Sequence, residues 1–157
     1  MAREEKADRL SRSPLHMLHR AGQCAGDLFH GEIKDGDLTP RQYAVLATVA
    51  QNEGLSQTGL VDRTGIDRST LADIVRRMLK KGLLQRRRTK EDARAYAVKL
   101  TEEGKRMLRT AEPIARRVDE RILEGLQAKQ REQFLDDLST IVTTLSKMSA
   151  AQQGTAE

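Results

Sequence analysis

At 157 residues the chain is long enough for one domain with a real core; with 3% aromatic residues and no Trp that core must be aliphatic, and 32% charged residues suit long helices with solvated faces. The net charge is +5, but residues 56–109 hold fifteen Lys and Arg against seven Asp and Glu, a local +8 that points to a polyanion gripped by one part of the molecule. One cysteine, Cys24, excludes an internal disulfide and a Cys-rich zinc site; no apolar run approaches a membrane span of ~18 residues, and the charged residues 1–12 lack the apolar segment of a secretory signal, so a cytoplasmic protein is expected.

Residues 1–12 are expected to fray. Ser13 then supplies an N-cap and Pro14 a first helical position, where a missing N–H is harmless. Leu15, Leu18, Gly22, Ala25 and Phe29 follow as a narrow, heptad-like stripe that lets another helix approach closely. Residues 31–36 break the pattern. Thr39, Pro40 and Gln42 restart it as a capping box, after which Tyr43, Leu46, Ala47 and Ala50 are expected to face the core until residues 52–54 end the helix.

Ser56 caps a short helix over 57–63 with Leu60 and Val61 inward, and Thr64-Gly65 turns the chain into a longer one. In this longer helix, over residues 67–81, Leu71, Ile74, Val75, Met78 and Leu79 recur at the spacing of a buried face. The opposite face carries Ser69, Asp73, Arg76 and Lys80, flanked by Arg68, Thr70 and Arg77, side chains that can meet base edges and phosphates. Asp67 is its N-cap, and Gly82 suits a left-handed terminator. Helix, tight turn and longer basic helix make a helix-turn-helix. A strand over 83–88 and a second, in which Tyr96, Val98 and Leu100 alternate with Ala97 and Lys99, flank a polar loop, so a basic hairpin follows as a wing. The wing adds Arg86, Arg88, Lys90, Asp92 and Arg94 to the candidate DNA-binding set. Arg76 is expected to read a base edge and Arg94 to enter the minor groove, with Asp92 orienting the wing tip through Arg94 or Arg77.

Thr101 caps the next helix and places Glu102 and Glu103 at the positive end of its dipole. Met107, Leu108, Ala111, Ile114, Val118, Ile122 and Leu126 continue an apolar stripe that Pro113 is expected to bend or divide. After an interruption at 125–129, a last helix carries Phe134, Leu138, Ile141, Leu145 and Met148 as a heptad seam, and residues 150–157 are expected to be disordered. The fold class is therefore mainly α with a small β-hairpin wing. A seam left open to water would be an aggregation hazard, so a partner is implied.

Three stretches resemble the MarR family of bacterial winged helix-turn-helix transcriptional regulators. DRSTLADIVRRMLKKGLL is similar to the family's recognition helix running into its strand, and Asp92-Ala93-Arg94 to its wing tip. The wing's exit, residues 98–104, is similar to the family's V-x-L-T-x-x-G. The resemblance implies a single domain over 1–157, with dimerisation helices at 13–35 and 111–149 and the winged DNA-binding region at 38–109. It implies a homodimer on an inverted-repeat operator in double-stranded DNA, no cofactor, and a small-molecule effector in a pocket lined by the first, second and post-wing helices. DLTPRQYAVL and IDRSTL are similar to relatives that control catabolism of aromatic acids, some sensing the acyl-CoA thioester. On the matching stretches His19, Gln23 and Tyr43 would orient an aromatic acid, and His16 or Arg20 would meet a carboxylate or phosphate.

No nucleophile with its base, paired carboxylates, glycine-rich phosphate loop or metal-ligand cluster is recognisable, so neither an enzyme nor a metal site is expected. No His follows His30, and His16, His19 and His30 read as structural or exposed unless the effector uses them. Two alternatives stand beside a repressor released by its ligand. One is redox sensing through Cys24, set against its reading as an inert small core residue. The other is non-specific, architectural DNA binding, against which Asp73 argues, because a helix that only grips phosphates has little use for a carboxylate.

Overall fold

Most of the helices begin where a hydroxyl, carboxylate or side-chain amide takes up a backbone N–H that the helix itself leaves free. The computed structural model describes residues 9–33, 38–88 and 96–154. Among them run α1 (Pro14–Glu32), α2 (Pro40–Gln51), α3 (Gln57–Thr64), α4 (Arg68–Lys80), β1 (Leu84–Arg88), β2 (Tyr96–Leu100), α5 (Glu102–Ile122) and α6 (Ala128–Gly154). Ser56 Oγ accepts from the Gly59 amide at 3.1 Å and Asp67 Oδ1 from the Thr70 amide at 2.9 Å. Thr39 and Gln42 close their capping box in both directions, at 3.1 and 3.2 Å, which gives a partner to Gln42, the one buried polar side chain among the described residues.

The chain divides into two compact units, residues 1–118 and 119–157. In the first, α2, α3 and α4 enclose Val45, Leu46, Leu60, Leu71, Val75 and Met78, none of them exposed at all. The left-handed backbone that the turns require falls on Gly65 (φ 69°), which ends α3, and on Gly82 (φ 74°), just past α4. The hairpin then pairs Leu84 with Leu100 through to Arg88 with Tyr96. Its second strand has a neighbour on its other edge too, since the Val98 amide donates to the Leu55 carbonyl at 2.9 Å and Ser56 bridges Ala97. That extra neighbour buries Ala97 alongside Val98, where strict alternation would leave it open.

The wing's exit is fastened to its entrance. The Thr101 amide donates to the Leu83 carbonyl at 3.1 Å, and its hydroxyl donates to the Gly82 carbonyl at 2.5 Å while accepting from the Gly104 amide at 3.0 Å. Gly104 thereby lies so close to Leu83 that a Cβ on it would sit 2.1 Å from the Leu83 oxygen. Only glycine fits there.

Several expectations need correction. The buried face of α2 is Gln42, Val45, Leu46 and Val49, with Ala50 exposed, because α3, α4 and β2 all pack on that side. Tyr43 and Ala47, as expected, pack against that core while only partly buried, and Tyr43 also reaches Phe29, at 6.1 Å between centroids, in a small cluster with Ala115 and Val118. Pro113 does not divide α5. The helix runs unbroken from Glu102 to Ile122, with Pro113 withdrawing only the one donor that would have met the Arg109 carbonyl. Residues 9–11 form a helical turn instead of fraying, and the Ser13 amide donates to the Leu10 carbonyl at 3.1 Å. α6 runs to Gly154, through an Ala- and Gln-rich stretch expected to be disordered; both residue types favour helix. Cys24 is exposed and is no core residue. In the second unit α6 carries no buried residue, and Phe134, Ile141, Leu145 and Met148 of its seam are open.

Candidate functional site

Packing of Leu71, Ile74, Val75 and Met78 into the core turns the other face of α4 outward, with Arg68, Ser69, Arg76, Arg77 and Lys80 exposed and Thr70 and Asp73 half-buried. The first turn is fixed electrostatically. Hydrogen bonds from the Thr70 side chain and amide, and from the Ser69 hydroxyl at 2.9 Å, hold the Asp67 carboxyl down at about 2. One turn further, Asp73 pairs with Arg76 and, at 2.9 Å, with Arg77. Exposed pairs of this kind contribute at most about 1 kcal/mol, so they orient the two guanidinium groups without locking them, and a phosphate or base edge can draw either away.

Along the wing, side chains alternate between the two faces of the hairpin. Arg86 and Arg88 share a face with Tyr96, and each guanidinium carbon lies 6.0 Å from the centre of its ring. Arg87 emerges on the opposite face, paired with Ala97. Lys90, Asp92 and Arg94 lie outside the described residues, and Arg77, one of the two partners expected for Asp92, is already engaged by Asp73. The part Tyr96 plays is not visible in the sequence, because it depends on a register that sets an aromatic ring across from two arginines.

Four of the five expected effector residues come together. His16, His19, Arg20 and Gln23 line a groove of about 680 Å³ along α1, joined by Arg41 from the start of α2. Tyr43 is not part of that groove. A different cavity, of about 410 Å³, is walled by Ile33, Leu38, Met107, Ala111 and Ile114, with Arg117 and Glu32 on its lining 3.8 Å apart. Met107, Ala111 and Ile114 read in the sequence only as core stripe, Ile33 fell in a break between helices, and the Arg117–Glu32 pair spans elements far apart in the chain. Among the described residues no three His, Cys, Asp or Glu side chains gather as metal ligands, and no helix is long and apolar enough to cross a membrane.

The MarR family model matches residues 36–95. The transcriptional regulator HosA of Escherichia coli O127:H6 is 36% identical over 135 residues, covering 86% of this chain and 98% of its own. Among solved structures, PcaV from Streptomyces coelicolor in complex with its natural ligand superposes with a TM-score of 0.81 at 31% identity, over 85% of this chain and 94% of its own. The transcriptional repressor CouR on a 23-mer DNA duplex gives 0.77 at 30% identity, over 85% and 94%, and CouR of Rhodococcus jostii RHA1 is also known bound to p-coumaroyl-CoA. With this identity over nearly the whole of its relatives, and with the winged helix-turn-helix in place, the chain belongs to the MarR family of DNA-binding transcriptional regulators.

Proposed function

We propose that the chain acts as a homodimeric repressor that grips an inverted-repeat operator and is released by a small aromatic acid or its CoA thioester. The observation that carries this reading is the pairing, in one unit, of an exposed basic helix face with cavities of complementary chemistry. The groove of His16, His19, Arg20, Gln23 and Arg41 suits a carboxylate or phosphates, and the apolar cavity suits an aromatic ring whose acid group meets Arg117. CouR, with DNA in one structure and p-coumaroyl-CoA in another, supports both halves of the reading. Arg68, Ser69, Thr70, Asp73, Arg76, Arg77 and Lys80 would face the major groove, Arg86 and Arg88 the flanking phosphates, and Lys90, Asp92 and Arg94 the minor groove.

Assembly rests on two uncovered apolar helices. Leu15 of α1 is 69% exposed and Leu145 of α6 52%, and burying each such side chain in a partner is worth about 1.5–3 kcal/mol. A dimer on two successive major grooves needs its recognition helices about 34 Å apart, so a ligand that favours another spacing lowers operator affinity. A coupling of about 1–3 kcal/mol gives a 5- to 150-fold loss, and DNA must weaken ligand binding by the same factor.

Footprinting tests the grip: one protected palindrome supports it, and uniform protection favours an architectural role. Titrating the protein–operator complex with aromatic acids and their CoA thioesters at fixed salt tests the switch, with Arg41→Ala and Arg117→Ala separating the two cavities and Tyr43→Ala probing the junction with Phe29. If no compound that binds the free protein releases DNA, the ligand-release reading fails. Because Cys24 is exposed, oxidation is the second reading; loss of operator binding in peroxide that Cys24→Ser abolishes would favour it.

A further inference from the structure

A cavity of about 630 Å³ that neither the DNA grip nor the effector reading uses is bordered by Arg87 and Lys99, from the hairpin face opposite Arg86 and Arg88, and by Val98 and Leu100 at the hairpin's base. No residue of α4 lines it. Its floor is apolar, with Val49, Val98 and Leu108 brought from α2, β2 and α5. Around the floor stand Arg87 of β1, Lys99 of β2, and Lys105 and Arg109, one turn apart on α5. Lys105 is held by Glu102 at 3.0 Å, whereas the side chains of Arg87, Lys99 and Arg109 make no ion pair or hydrogen bond among the described residues. Three unpaired cations from three separate elements thus border one concavity. Like charges so gathered repel one another until an anion enters between them.

The lining selects among anions. Two carboxylates, Glu53 and Glu102, also face the cavity, which disfavours a weakly charged acid and offers acceptors to a ligand that carries hydroxyl or N–H donors. A volume of this size suits a cofactor-sized molecule better than a protein segment, and guanidinium forks match phosphate oxygens in pairs. We propose that this cavity binds a nucleotide carrying two or more phosphates, its base on the apolar floor, its phosphates on Arg87, Lys99 and Arg109, and its ribose hydroxyls toward Glu53. Nucleotide bound there would tie both strands of the wing to α5.

The test is equilibrium dialysis of the full chain with ADP, ATP, AMP and pyrophosphate. ADP or ATP should saturate one site per chain, pyrophosphate should compete, and AMP should bind more weakly. Arg87→Ala or Arg109→Ala should each weaken ADP by about tenfold or more, as for loss of a charge-assisted hydrogen bond. Arg86→Ala, on the other hairpin face, and Arg41→Ala, in the effector groove, should leave ADP binding unchanged. AMP binding as tightly as ADP would overturn the proposal, because the phosphates would not be read. So would non-saturable binding, or displacement of ADP by a glutamate-rich peptide at equal concentration, which would assign the cavity to a protein partner. A lowered operator affinity and a shallower salt dependence in Arg87→Ala, with no effect on ADP, would return the cavity to the DNA grip.

Discussion

Gly104→Ala isolates the joint between wing and α5. A new Cβ would lie 2.1 Å from the Leu83 carbonyl oxygen and 3.1 Å from its carbon, and both belong to backbone that cannot rotate away. Relief requires α5 and the start of β1 to separate by about 1 Å, as overpacked sites do at a cost of roughly 1–3 kcal/mol. The same movement stretches the Thr101 bonds to Leu83 and Gly82, now 3.1 and 2.5 Å, which would forfeit up to about 0.5–1.5 kcal/mol each. Against this stands the helix preference of Ala over Gly, about 1 kcal/mol. The net expectation is a loss of roughly 1–4 kcal/mol, because the steric cost and the stretched hydrogen bonds arise from one movement and partly overlap. Gly31→Ala is the control, since Gly31 lies inside α1 with nothing within 4 Å of a Cβ, and it should stabilise by up to about 1 kcal/mol. Urea unfolding of both variants at one fixed protein concentration reads the difference. If Gly104→Ala proves as stable as Gly31→Ala, the close approach does not govern this joint and the argument fails.

Asp73→Ala should free Arg76 and Arg77 together, raising affinity for random DNA while lowering the ratio of specific to non-specific binding; fluorescence anisotropy with both DNAs checks it, and an unchanged ratio would refute it. Tyr96→Ala should weaken operator binding by about two- to fivefold through loss of order in Arg86 and Arg88, and Tyr96→Phe should retain most of it. Because the folded Asp67 carboxyl titrates at about 2, below its ordinary 3.8, its contribution to stability is complete above about 3.8 and is lost as pH falls toward 2. Acid unfolding of Asp67→Asn should lack that component, and an NMR titration placing the Asp67 carboxyl near 3.8 would contradict the cap geometry. Leu138→Asp should place a charge in the proposed dimer interface at a cost of several kcal/mol, giving monomers in sedimentation and loss of operator binding; a variant that stays dimeric and bound would show that the seam is not the interface.

What the sequence made legible was whatever one element, or one turn, decides by itself. Ser56, Thr39-Gln42 and Asp67 were readable as caps because a cap is made between residues three apart. The outward face of α4 was readable because helical period alone separates Arg76 from Met78. His16, His19, Arg20 and Gln23 share a groove for the same reason, being spaced along one face of α1. Arg41 was not readable there, since it arrives from the next helix. Period also says which residues share a face but not which of two faces is covered more deeply, and α2 has a neighbour on both. The stripe that named Tyr43, which only half-enters the core, and Ala50, which is exposed, therefore missed the fully covered Val45 and Val49.

The three-way contacts carry the larger consequence. Thr101 and Gly104 could be recognised as part of a motif, yet the reason for them is the carbonyl of Leu83, twenty-one residues before Gly104. Tyr96 could be placed in a strand, yet its pairing with two arginines follows from the hairpin register. Asp73 was readable as a carboxylate out of place on a basic face, and its position one turn before both Arg76 and Arg77 gives it a sharper role. Because it holds both guanidinium groups, any DNA contact that Arg76 or Arg77 makes under the proposed reading would require breaking an ion pair, and a correct base edge would repay that better than a phosphate alone. On that reading, discrimination by this helix would arise from competition within α4 as much as from contact with DNA. That competition can be measured by comparing salt dependence with and without the carboxylate.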